Sequence, residues 1–232
     1  MAEKRATPLH CQFSWWYNKR SGQQTQTEEE YEKSMKNVCT CATVEEFWKL
    51  YSWMIRPDNM PNSSNFHFFR IGIRPLWEDE HNRRGGKWVF RCQKQLASFY
   101  WEELLLAMIG ASNPAFDSVT GVVASIRYST VMISVWNRDA SDRDRNADLR
   151  EAIRTLLHLP PATQMDYKPH DMALSQQQTH HRDESATPAP SPSPNPPPIP
   201  PPPPPASSAD QPEEKPAAPE AAAAAPAPAP AK

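Results

Sequence analysis

The sequence contains no run of about 18 apolar residues, so nothing in it is long and apolar enough to cross a bilayer as a helix. It also lacks an excess of charge of one sign. Lys and Arg total 25 against 27 Asp and Glu, a net charge of -2, whereas a general coater of nucleic acid would be more basic. Cysteine is scarce: of four, only Cys39 and Cys41 are close, and no second pair completes a zinc set. No metal and no cofactor is therefore expected. No basic-then-apolar leader opens the chain. Reduced thiols in a cytosolic or nuclear protein are the expectation, with the cytoplasm as the assigned compartment and no membrane partner.

What is present is unevenly spread. All 8 tryptophans precede Asn137, while most of the 27 prolines crowd between Pro188 and Pro230. The segment "PSPSPNPPPIPPPPPP" has almost no large apolar side chain to offset the entropy of ordering, and polyproline II is its expected local form. We divide the chain into a flexible start (1–7), a folded domain (8–172) and a disordered Pro/Ala-rich tail (173–232). The tail reads as an inert or solubilising spacer, or as a ligand for partners that bind polyproline in aromatic grooves.

Within the folded part, "PLHCQFSWWY" and "NFHFFRIGI" read as strands, and "KWVFRCQ" as another entered through Gly85-Gly86. Polar "NKRSGQQTQTEEEYEK" reads as a mobile loop. "TVEEFWKLYSWMI" has helical spacing from Val44 to Ile55, a capping box of Thr43 and Glu46, and a stop at Arg56-Pro57. A second helix, "LASFYWEELLLAMIG", carries the stripe Trp101, Leu104, Leu105, Met108 and ends at Gly110. "GVVASIRYSTVMISVW" reads as a hairpin turning near Ser129-Thr130, and "SDRDRNADLREAIRTLLHL" as a third helix with Leu149, Ile153, Leu156 and Leu157 inward. "TQMDY" reads as a last strand. The order implies an α+β fold, an antiparallel sheet with its helices on one face. The other face is then available to a ligand.

One stretch points to that ligand. In "RPLWEDEHNRRGGKW", Trp77 offers a flat electron-rich face and Glu78 two carboxylate oxygens. A guanine methylated at N7 is a flat cation whose N1–H and exocyclic amine can donate to one carboxylate in parallel. The pair suits 7-methylguanine, and Arg83, Arg84, Lys87 and Arg127 are candidate partners for its phosphates. Taken alone, the stretch reads more simply as a tryptophan anchoring a loop beside a solvated acidic run.

The wider sequence narrows this. From about Pro8 to His170, "TVEEFW", "GIRPLWEDEHNRRGGKW", "LLLAMIG", "GVVASIR", "ISVWN" and "LHLPP" resemble, in order and spacing, the eukaryotic translation initiation factor 4E family of mRNA cap-binding proteins. The resemblance implies a curved antiparallel sheet, with three helices on the convex back and the 7-methylguanosine cap in the concave face. It implies no enzymatic activity. It implies a stacking pair in Trp77 and Tyr31, the latter standing where initiating members have tryptophan. Glu78 would read the guanine edge, Trp136 would touch the N7-methyl group, and Arg127 and Lys87 would meet the phosphates.

Two phosphate-binding lysines of initiating members fall on Ser129 and Met132, and an early tryptophan falls on Phe13. These departures resemble the divergent class typified by the factor-4E homologous protein, which binds caps and regulates translation through recruited partners. A general initiation factor recruiting a scaffold protein is the alternative. The resemblance also implies a second surface, formed by Pro8, Leu9, Val44, Trp48, Glu103 and Leu106. That surface would receive a partner helix carrying a tyrosine and a leucine.

Overall fold

The computed structural model describes residues 6–19, 28–111 and 113–171. Most of the expected flexible start, part of the expected polar loop and the whole of the expected disordered tail lie outside the described residues. Seven strands form one sheet: β1 (Pro8–Lys19), β2 (Lys36–Thr43), β3 (Ser64–Arg70), β4 (Gly86–Gln93), β5 (Val119–Ile126), β6 (Thr130–Asn137) and β7 (Met165–Pro169). All neighbours are antiparallel, in the order β2-β1-β3-β5-β6-β4-β7. The sheet is curved and the class is α+β, as expected.

Side chains of the central strands alternate between the two faces of the sheet. Phe13 and Trp15, Phe66 and Phe68, Val122 and Ala124, and Ile133 and Val135 point to the convex side and are buried there. Three helices cover them: α2 (Val44–Tyr51), α4 (Lys94–Gly110) and α5 (Arg143–Leu156). Trp15 sits at the centre, stacked with Phe47, Tyr51 and Phe66 and tilted against Trp101. The expected stripe of α4 (Trp101, Leu104, Leu105, Met108) is buried. On the third helix Leu149, Ile153 and Leu157 are buried and Leu156 is half-buried. Trp88, whose indole Nε1 donates to the Asn146 carbonyl at 3.0 Å, packs on the same side.

Several local expectations need correction. The polar stretch before the second strand is not wholly loop: it ends in a short helix, α1 (Glu28–Ser34). Strand β2 follows it, and a one-turn helix, α3 (Glu80–Arg83), interrupts the loop after Trp77. Helix α2 has its expected cap, with Thr43 Oγ1 accepting from Glu46 N at 3.2 Å, but the Glu46 carboxylate takes the Ala42 N–H rather than the cap residue's own. It also stops at Tyr51 and not at Ile55. There the Arg56 guanidinium lies 3.6 Å over the Tyr51 ring and donates to the Tyr51 carbonyl, satisfying the helix end. Ile55, the last position of the expected spacing, is 62% exposed beyond the helix end. Helix α4 ends at Gly110 as expected, and Ala111 after it takes the left-handed conformation (φ 47°).

The concave side carries a different set of side chains. One row crosses the sheet as Ser14, Phe69, Gly121, Trp136, Lys87 and Lys168, set by the strand register. Gly121 has no alternative here: a Cβ would stand 2.3 Å from the Phe69 ring that lies over it. A second row places Asn18 opposite Asn65. These rows are the floor of the site.

Candidate functional site

Trp77 and Glu78 are presented by the connection from β3 to β4, in whose acidic run Asp79 has a structural role. Asp79 is buried, accepts from the backbone N–H groups of Arg74 (3.1 Å) and His81 (3.0 Å), and so caps α3. Asn82 is wholly buried and donates to the carbonyls of Arg74 and Leu76, both at 2.9 Å. Thr120 on β5 donates to the Asn82 side-chain oxygen at 2.8 Å, tying the loop to the sheet. With the loop fixed by its neighbours, half-buried Trp77 packs against Phe69, Ile73, Val123 and Trp136, and Glu78 follows it with Oε1 shielded from solvent.

Trp136 is held from three directions. Phe69 meets it edge-on at 5.5 Å, His170 lies 4.4 Å away, and Lys87 Nζ stands 5.0 Å over the ring. Burial, and then the neighbouring charge of Lys168, lowers the pKa of Lys87. Lys168 is a cation that the sequence reading missed. It becomes a neighbour of Lys87 only through the pairing of β7, and the expected strand was taken to end at Tyr167.

Tyr31 rides on α1, which two contacts fasten to the rest. Arg74, in the Trp77 loop, forms an ion pair with Glu32. The Ser34 hydroxyl donates to the Tyr31 carbonyl at 2.7 Å and accepts from Asn18 of β1 at 3.3 Å. Arg127, at the end of β5, reaches the Asn65 side-chain oxygen with two nitrogens at 3.3 Å each. The structure therefore brings Trp77, Trp136 and Lys87 into one cluster, while Arg127 and the Tyr31 carbonyl are linked to Asn65, Asn18 and Ser34. Arg83 and Arg84 are exposed, while Ser129 and Met132 supply no charge. Among the described residues no group of three or more His, Cys, Asp or Glu side chains could hold a metal ion, and no helix is long and apolar enough to cross a membrane.

The site floor contains two buried histidines that sequence reading did not find. Burial, with a smaller contribution from Lys87, lowers His67 to about 3. Burial also lowers His170 to about 4, against the bond from its Nδ1 to the Asn82 carbonyl at 2.8 Å. Both are neutral in the fold, whereas the unfolded chain takes up protons near 6.5. Their contribution to stability is thus complete above about pH 6.5 and is lost as pH falls through the window toward 4 and then 3. We expect the melting temperature to fall steadily from pH 7 to pH 4.5. His67→Gln, which keeps a donor, should decline less steeply. Parallel pH profiles of the two proteins would contradict this.

The residues of the expected second surface lie on β1, α2 and α4. Trp48 on α2 is 43% exposed, standing edge-on to buried Phe47 and Tyr51. Thr7 donates to the Glu45 carboxylate through its N–H (2.9 Å) and hydroxyl (3.1 Å), which draws Pro8 and Leu9 beside α2. Val44, Glu103 and Leu106 are half-buried, and Pro8 is exposed.

The fold is thus a curved antiparallel sheet with three helices behind it and aromatic and cationic side chains in front. The sequence model of eukaryotic initiation factor 4E matches residues 8–185. The chain belongs to the eukaryotic initiation factor 4E family, a family of translation factors and not of enzymes.

Among its relatives, eukaryotic translation initiation factor NCBP of Arabidopsis thaliana is 44% identical over 168 residues, covering 72% of this chain and 75% of that protein. The NCBP factor of Oryza sativa subsp. japonica is 42% identical, covering 72% and 73%. Among solved structures, C. elegans eIF4E-3 in complex with the 4E-binding protein Mextli and a cap analogue superposes with a TM-score of 0.67 at 30% identity, over 74% of this chain and 96% of that one. Ascaris suum eIF4E-3 with an m2,2,7G cap gives 0.65 at 31% identity, over 72% and 92%.

Proposed function

We propose that residues 8–172 bind the 7-methylguanosine 5' cap of mRNA between Tyr31 and Trp77. Glu78 reads the guanine edge, Trp136 meets the methyl group, and Arg127 and Lys87 meet the phosphates. The observation that carries this reading is the cluster of Trp77, Trp136 and Lys87 in one concave hollow. The helix of Tyr31 is tethered to the Trp77 loop through Arg74 and Glu32. Membership of the factor 4E family, and solved relatives whose complexes contain caps, support it.

The chain acts in this reading as a divergent-class regulator. It holds capped mRNA in the cytoplasm and recruits a partner helix over Pro8, Leu9, Val44, Trp48, Glu103 and Leu106. Loss of cation at Ser129 and Met132 favours this over general initiation. The polyproline tail would add partners of its own.

The test is a tryptophan-fluorescence titration of the full chain with 7-methylguanosine triphosphate and with unmethylated GTP. The methylated ligand should bind at least tenfold more tightly, because only its ring is a cation for the aromatic plates. Equal affinities would overturn the assignment.

A further inference from the structure

Beneath the hollow runs a buried chain of polar side chains that the stacking and phosphate contacts do not themselves require. Asn18, Asn65 and His67 are 1%, 4% and 1% exposed, so each hydrogen bond among them is costly to leave unmade. The guanidinium of Arg127 can only donate, which requires the Asn65 oxygen to face it. The Asn65 amide nitrogen then faces Asn18 and donates to its side-chain oxygen at 3.0 Å. His67 Nε2 meets the same oxygen at 3.0 Å and must carry the proton there. That leaves the Asn18 amide nitrogen to donate to the Ser34 hydroxyl (3.3 Å), which passes its own proton to the Tyr31 carbonyl (2.7 Å). The direction of every link is fixed from a cation at one end to a backbone carbonyl at the other. Reversing either amide would set two donors or two acceptors face to face.

From this continuous path we infer that Asn18, Asn65 and Ser34 are positioning residues that couple the phosphate end of the site to the Tyr31 plate. A ligand that engages Arg127 steadies Asn65, and through Asn18 and Ser34 it steadies the helix that carries Tyr31. Stacking then costs less ordering when the phosphates are already held. The inference rests on the cap-binding reading and adds that ring and phosphate recognition cooperate.

The experiment compares 7-methylguanosine with its 5'-triphosphate on the full chain, in wild type and variants, by fluorescence titration. In the wild type, Tyr31→Ala should cost about fivefold more affinity for the triphosphate than for the nucleoside. On an Asn18→Leu background, and independently on a Ser34→Ala background, the Tyr31→Ala penalty should become the same for both ligands. Ser34→Ala trims only one hydroxyl at the outer link, so it keeps the test open if Asn18→Leu does not fold. Equal penalties in the wild type, or an undiminished difference on the Ser34→Ala background, would overturn the coupling while leaving cap binding intact. Absence of wild-type binding to either ligand would overturn both readings.

Discussion

Glu78→Ala should weaken binding of 7-methylguanosine triphosphate by about a hundredfold or more. The substitution removes both acceptors for the guanine N1–H and exocyclic amine, and charge-assisted hydrogen bonds contribute about 1.5–3 kcal/mol each. The carboxylate lies half-buried beside Trp77, in a loop held by Asp79, Asn82 and Thr120. The change should therefore leave the melting temperature near that of the wild type, and affinity loss can be read without unfolding. Retention of Glu78→Ala on a cap-analogue resin at wild-type salt would mean that another group reads the base.

Tyr31→Ala should reduce affinity for the same ligand by about tenfold to a hundredfold, within the 1–3 kcal/mol that one base-stacking ring typically contributes. Tyr31→Trp should bind as well as the wild type or better, because the larger indole is the stronger partner for a cationic ring. The pairing of the two variants is diagnostic. A ring that only packs α1 would be harmed by both changes, whereas a stacking plate is harmed by one and helped by the other. An alanine variant that titrates like the wild type would leave Trp77 facing a different second plate.

The legible parts of the fold were those where side-chain period and burial coincide. Helix α4 announced itself through Trp101, Leu104, Leu105 and Met108, and β5 and β6 through β-branched runs around a short turn. Strand β2 was missed because "KNVCTCAT" has no aromatic and presents little beyond Cys39 and Cys41 to the core. Helix α1 was missed because "EEEYEKS" has no apolar stripe, and its contacts to Asn18 and Arg74 come from distant segments. The site divides in the same way. Trp77 and Glu78 are adjacent and chemically suggestive. Tyr31 and Trp136 were reached only through resemblance, which also singled out Arg127 and Lys87 among four candidate cations. Lys168, His170 and the Asn18–Asn65 pair were invisible because they meet through strand register across 47 residues or more.

That β7 arrives last yet pairs with β4 has a consequence for how the protein is made. Lys168 and His170 close the hollow beside Lys87 and Trp136, and His170 fastens to the carbonyl of Asn82, 88 residues earlier. A nascent chain emerging from the ribosome can assemble the central strands, but its hollow lacks one wall until translation has passed residue 170. The completed hollow thus forms only after residue 170 has been made, well after the strands that line most of it.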